Sequence, residues 1–159
     1  MTRYPEGPAT SPGFLLWHVT LHWQRMMTAA LTPLGLTHVQ FVLLACTWWL
    51  EGHGGAPNQL ELGRQAGTEP KMTSQVVRRL EAQGLVVREV DSSDTRARRI
   101  GLTTQGRSLA RRAVAVVEQA DLEFFGREAK TATPILQRLA ARNPRAVGGT
   151  QSQATLPTG

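Results

Sequence analysis

Residues 37–103 carry helix starts, helix stops and a hairpin in an order that few folds can accommodate. Thr37-His38-Val39-Gln40 has capping-box spacing: a threonine side chain caps the first turn and a glutamine three residues on reaches back. The helix it opens, to about Glu51, is apolar on nearly every side (Val39, Phe41, Val42, Leu43, Leu44, Cys46, Trp48, Trp49, Leu50). A helix with no polar face has to be buried, so this one is expected at the centre. Residues 52–57 read as a loop. Asn58-Gln59-Leu60-Glu61 is a second capping box, starting a short helix that stops near Gly67. Pro70 then suits a first helical position, where its missing N–H costs nothing, and Gly84 supplies a left-handed stop. Strand-like runs at 86–90 and 97–102 flank the turn 91–94, which predicts a hairpin.

On either side the pattern is helical. Leu15, Val19, Trp23, Met26 and Ala30 recur at helical spacing until Pro33 and Gly35 end the run. Thr103 or Thr104 caps a long helix with Leu109, Ala113, Val116, Val117, Ala120 and Phe124 on one face, and a last helical piece is expected over 133–142. The fold class is therefore mainly α with a small β-hairpin. A helix-turn-helix with a basic wing (36–103) is flanked by helices at 13–35 and 104–142 and by Pro/Gly/Ser/Thr-rich tails at 1–12 and 143–159.

Charge is localised. The chain has 18 basic and 12 acidic residues, a formal net charge of +6. Between Lys71 and Arg112 ten bases face four acids, so this stretch holds the whole surplus. A localised basic surface is the footprint of a nucleic-acid binder, although basic membrane-surface proteins share it. Only Lys71 and Lys130 are lysines. The arginine bias suits phosphate and guanine recognition, and a GC-rich genome would produce it equally.

On the helix that Pro70 begins, Thr73, Val76, Val77 and Leu80 fall on one side at about 100° per residue. Lys71, Gln75, Arg78 and Ala82 fall opposite, flanked by Ser74 and Arg79. A short cationic, hydrogen-bonding face opposite an apolar one is what a major-groove helix needs, and its N-terminal residues reach the base edges. Gln75 and Lys71 are assigned to bases, Ser74, Arg78 and Arg79 to phosphates. A lone helix with such a face would more often be a solvated surface; the basic hairpin that follows favours DNA. At the wing, Asp94 is placed to steady Arg96 for a narrow minor groove, with Arg98 and Arg99 near phosphates. The plainer alternative is an exposed salt bridge of little worth.

Leu36-Thr37-His38-Val39-Gln40-Phe41, Glu61-Leu62, the stretch from Arg79 to Val86, Asp94-Thr95-Arg96 and Leu102-Thr103-Thr104-Gln105-Gly106, in this order and spacing, resemble the MarR family of winged-helix transcription regulators. The resemblance implies a homodimer built from the first and the C-terminal helices. It further implies a palindromic duplex operator, usually a repressor's role, and in many relatives release by a small aromatic or phenolic effector. The chain departs from the family's common Ser-Thr-Val-Thr-Arg recognition run with Lys71-Met72-Thr73-Ser74-Gln75, so the operator does not carry over. Gly63 and Ala66 stand where Ala and Leu are usual, implying a more loosely packed short helix, and inward Thr73 implies a slightly weaker core.

Other sites follow from residue chemistry. His18 and His22, four apart, could hold a metal with help from His38, His53, Glu51 or a carboxylate of a partner subunit. Zinc-sensing relatives, however, use His and Glu on the long C-terminal helix, where residues 109–125 contain no His. The favoured alternative is surface or pocket histidines, with Trp17, His18, His22 and Trp48 lining an effector pocket. Core packing is the default for the four tryptophans. Cys46, the only cysteine, excludes an internal disulfide, suits a reducing, cytoplasmic setting, and in apolar surroundings is expected to be inert. Residues 1–13 lack a long apolar stretch, so no signal peptide is expected, and no segment is long and apolar enough for a membrane. No phosphate loop, His-Glu-x-x-His or Cys-x-x-Cys is present, and Asp91 and Asp94 are expected at an exposed turn. No enzyme and no cofactor is expected. The rivals to a DNA-binding regulator are a zinc-responsive regulator of the same fold and a winged helix that binds proteins only.

Overall fold

The computed structural model describes residues 3–92, 94 and 98–142. Among the described residues, six helices and one hairpin follow each other as α1 (Pro12–Leu31), α2 (His38–Gly54), α3 (Gln59–Ala66), α4 (Pro70–Ala82), β1 (Val86–Val90), β2 (Arg98–Leu102), α5 (Thr104–Phe125) and α6 (Ala129–Ala140). Short 3-10 turns precede α1, follow it and precede α6.

The helix starts are set by local chemistry. Ser11 Oγ accepts from Phe14 N at 3.4 Å, with Pro12 as the first residue of α1. Both capping boxes form: Gln40 N donates to Thr37 Oγ1 while Thr37 N donates to Gln40 Oε1, and Asn58 and Glu61 do the same for α3. Thr103 is the cap of α5, its Oγ1 accepting from Gly106 N at 2.9 Å and donating to Gly84 O at 2.7 Å. That one hydroxyl joins the end of the helix-turn-helix to the start of the long helix.

α2 is central, as its lack of a polar face requires: it packs on α1, α3, α4, α5 and β2. Met27 and Leu31 of α1, Leu43 and Leu44 of α2, Leu62 of α3, Val77 and Leu80 of α4, Val86 and Ile100 of the hairpin, and Ala110 and Ala113 of α5 form one buried core. Each fully buried large aliphatic side chain contributes about 1.5–3 kcal/mol relative to exposure, so this core fixes α3 and α4 relative to the wing. The hairpin is antiparallel, pairing Val86 with Leu102, Arg88 with Ile100 and Val90 with Arg98.

Several boundaries differ from the sequence expectation. α2 runs through Gly52 to Gly54, so the loop after it is shorter. α6 begins at Ala129 and carries Pro134 inside it. The expected tail at 143–159 and the wing residues Thr95, Arg96 and Ala97 lie outside the described residues. Among the described residues, no single helix is long and apolar enough to cross a membrane.

Candidate nucleic-acid interface

α4 is divided as its sequence dictates. Thr73, Val77 and Leu80 are buried, whereas Lys71, Gln75, Arg78 and Arg79 are exposed. Ser74 is half-buried, and its Oγ accepts from Arg78 at 3.0 Å, so these two expected phosphate contacts are bonded to each other. The outward face thus carries two cations without an ion-pair partner among the described residues, Lys71 and Arg79, a preorganised Arg78–Ser74 pair, and the Gln75 amide, all within little more than two turns.

The joint behind this face is tight. Gly63 of α3 is buried against Thr73, whose Oγ1 donates to Glu69 O at 3.0 Å and lies 2.7 Å from Thr68 Oγ1. The expectation of a loosely packed α3 is corrected at Gly63. The missing methyl at 63 makes room for the Thr73 hydroxyl, and the hydroxyl is fully satisfied.

At the wing, Arg98 is exposed, with no ion-pair partner among the described residues, and Asp94 is exposed. Arg99 points another way. Its Nε donates to Asp91 Oδ2 at 2.5 Å and its Nη1 to Glu61 Oε2 at 3.0 Å and Ala56 O at 3.3 Å. The bond to Asp91 is the main reason its guanidinium is held even more firmly in the charged form than usual. Asp91, expected at an exposed turn, is 7% exposed. The correction has a physical cause: a carboxylate tolerates burial when a guanidinium bonds it directly.

A second carboxylate, considered from the sequence only as a possible metal ligand, holds the root of the wing. Glu51 of α2 accepts from Leu102 N at 2.8 Å and from Arg107 at 2.6 Å. It marks the join of α2, β2 and α5.

The residues expected to line an effector pocket have different surroundings. Trp17 and His18 are exposed on the N-terminal half of α1, where His18 meets Phe14; His22 meets Phe124 of α5; Trp48 packs half-buried on the core. A different cluster does form where α1, α2 and α5 meet. Trp23 Nε1 donates to Asp121 Oδ1 at 2.8 Å, and His38 stands edge-on to Trp23 at 5.0 Å and stacks toward Phe41. Burial holds the His38 imidazole below its ordinary pKa, with the nearby Asp121 charge opposing the shift. Asp121 alone had no signal in the sequence beyond being an acid beside an apolar stripe. Among the described residues no three His, Cys, Asp or Glu side chains converge on a point that could hold a metal.

A buried helix-turn-helix joint, an outward cationic helix and a basic hairpin define a winged helix-turn-helix regulator. Comparison with known proteins agrees. The MarR family profile matches residues 36–97. An uncharacterized HTH-type transcriptional regulator of Bacillus subtilis, YdcH, is 42% identical over 120 residues, covering 76% of this chain and 82% of its own length. CouR of Rhodococcus jostii RHA1, solved with p-coumaroyl-CoA, superposes with a TM-score of 0.76 at 28% identity, covering 86% of this chain and 94% of CouR. Rv2887 of Mycobacterium tuberculosis, solved with DNA, gives a TM-score of 0.64 at 32% identity over 82% of this chain and 98% of that one. The same protein has also been solved with salicylic acid, with a TM-score of 0.61 at 34% identity over 82% and 96% of the two chains. The chain belongs to the MarR family. It is a transcriptional regulator and not an enzyme.

Proposed function

We propose that this regulator is a homodimeric repressor that binds a palindromic duplex and is released from it by a small aromatic acid or phenol. The observation that carries the reading is the exposed face of α4, where Lys71, Gln75, Arg78 and Arg79 stand opposite a fully buried face. Lys71 and Gln75 read base edges, and Ser74, Arg78, Arg79 and Arg98 meet phosphates. Arg96, outside the described residues, is assigned to the minor groove and Asp94 to steadying it. Solved Rv2887 complexes with DNA and with salicylic acid support both halves of the reading.

Dimerisation is supported by apolar side chains that one chain leaves uncovered: Phe14, Leu15, Leu16 and Trp17 of α1, Leu122 of α5, and Ile135, Leu136 and Leu139 of α6. Large exposed apolar side chains concentrated on the helices outside the helix-turn-helix favour an interface there. The division into a reading unit at 36–103 and pairing helices at 13–35 and 104–142 follows from it. A two-fold dimer sets its reading helices about one helical turn of DNA apart. An effector site at Trp23, His38, Phe41 and Asp121 sits where the pairing helices meet α2, so occupancy there would alter the spacing of the two reading units. A cytoplasmic setting, with the operator DNA, accompanies this function.

The test is selection of duplexes from a randomised pool, followed by binding at several salt concentrations. A palindrome should emerge, and affinity should fall steeply with salt as phosphates are neutralised. Gln75→Ala should relax preference at one position per half-site by about 1–3 kcal/mol. Failure to enrich any duplex at low salt would sink the reading. Salicylate should release the selected duplex with a parallel change in tryptophan fluorescence.

A further inference from the structure

We propose that Arg99 is a positioning residue, a strut that fixes the wing against α3, and not a phosphate contact. The inference rests on the DNA-binding reading above for its consequence, but its geometry stands apart from it.

Arg99 lies on β2 opposite Glu89 and joins four pieces of chain. Its Nε holds Asp91, where β1 leaves for the turn. Its Nη1 reaches Ala56 O in the link between α2 and α3, and Glu61 Oε2 in the first turn of α3. The Glu61 oxygen is already engaged, since it accepts from Asn58 N at 2.8 Å as half of the α3 capping box. The backbone follows the same line: Ile100 N donates to Pro57 O at 2.8 Å, and Asn58 forms an isolated bridge with Arg99. Residues 57–58 therefore serve as a short third edge on a hairpin that, with two strands alone, would be marginal.

Charge decides between strut and clamp. One guanidinium is set against two carboxylates, which offset the charge that a phosphate contact would need. Three of its five N–H donors are also engaged by the Asp91, Glu61 and Ala56 oxygens. Arg98, one residue earlier and on the other side of the strand, is exposed and unpaired among the described residues, which leaves it as the phosphate contact of this pair. Because α3 is locked to α4 through Gly63 and Thr73, anchoring the wing to α3 sets its angle to the reading helix.

The experiment has two arms, each on the full-length chain. Without DNA, amide exchange is compared in wild type and Arg99→Met. The Ile100 amide should exchange at least about tenfold faster in the variant, while Thr73 in α4 keeps its protection. An unchanged Ile100 rate overturns the proposal whatever the protein binds. With DNA, the duplex selected by wild-type protein is titrated against Asp91→Asn. A strut predicts roughly tenfold weaker binding and loss of backbone protection at the outer flanks of each half-site. A phosphate clamp predicts the reverse sign, tighter binding, because a competing carboxylate charge has gone. Should Arg99→Met fail to fold, Arg99→Lys discriminates, since it keeps the charge but cannot fork to both acids. Near-native binding and exchange by that variant would overturn the strut. If wild type selects no duplex, the functional reading fails, and the exchange arm still decides the role of Arg99.

Discussion

Thr73 Oγ1 fills the space that a side chain at residue 63 would need: a Cβ on Gly63 would stand 2.9 Å from it. The hydroxyl cannot swing away cheaply, because it donates to Glu69 O and accepts from Thr68 Oγ1. Gly63→Ala should therefore destabilise the protein, although alanine's helix propensity offsets about 1 kcal/mol of the strain. A net loss of roughly 1–2 kcal/mol in urea denaturation is expected. In a Thr73→Ala background the same change should be neutral or stabilising, because the obstructing oxygen is gone. Additive losses in the double variant would show that the two residues do not compete for one space.

Gly106 is a harder case. A Cβ there would lie 1.9 Å from Leu85 O and 2.8 Å from Leu85 C, both backbone atoms on the strand of chain leading into β1. Nothing flexible can give way. Gly106→Ala should cost about 3 kcal/mol or more, seen as a large drop in thermal midpoint or as insoluble protein. Gly52→Ala, where nothing lies within 4 Å, is the matched control and should be neutral or slightly stabilising.

His38 gives a pH dependence with a definite sign. In the folded chain its imidazole loses its proton at lower pH than in the unfolded chain, where the value is near about 6.5. Between those two values the unfolded state holds more protons, so the stability this group contributes is complete above the unfolded value. It is lost as the pH falls through the folded one. His38→Phe keeps a ring beside Trp23 and Phe41 and should reduce the fall in denaturation midpoint between pH 7.5 and pH 5.5. An identical fall in both proteins would assign the effect to other groups.

Cys46 faces apolar surroundings on α2, and burial pushes its thiol up to about 11. At pH 8 it is therefore almost wholly protonated. Labelling by a thiol-specific disulfide reagent should be at least about tenfold slower in native than in denatured protein. Fast native labelling would contradict the expectation that this thiol is inert.

These side chains also show where sequence reading reaches and where it stops. Capping boxes at Thr37–Gln40 and Asn58–Glu61, the Pro70 start and the Gly84 stop are local devices, and each appears where its spacing predicts. The inward and outward faces of α4 follow from helical period alone. Contacts between distant residues leave no such trace. Trp23–Asp121, Glu51–Arg107 and Glu61–Arg99 are separated by 98, 56 and 38 residues and depend on how four helices and a hairpin come together. For the same reason Arg99 looked like one more cation in a basic run. The end of α2 was hidden by Gly52 and Gly54, which read as breakers; Glu51's bonds to Leu102 N and Arg107 supply the tertiary anchor that outweighs their poor propensity.

The proposed pairing surface can be tested independently of DNA. Trp17 is 61% exposed and Leu16 53%, on a stretch of α1 that has no buried residue before Met27. A single chain gains nothing from apolar residues held in water, whereas a partner covering them would recover about 25 cal/mol per Å². Trp17→Glu should therefore shift sedimentation from dimer toward monomer while leaving the thermal unfolding of the reading unit in place, because no core residue is touched. The monomer would still present α4 and the wing, so it should bind one half-site with about half the salt slope of the dimer. A variant that stays dimeric with a full slope would move the interface off α1 and onto α5 and α6 alone.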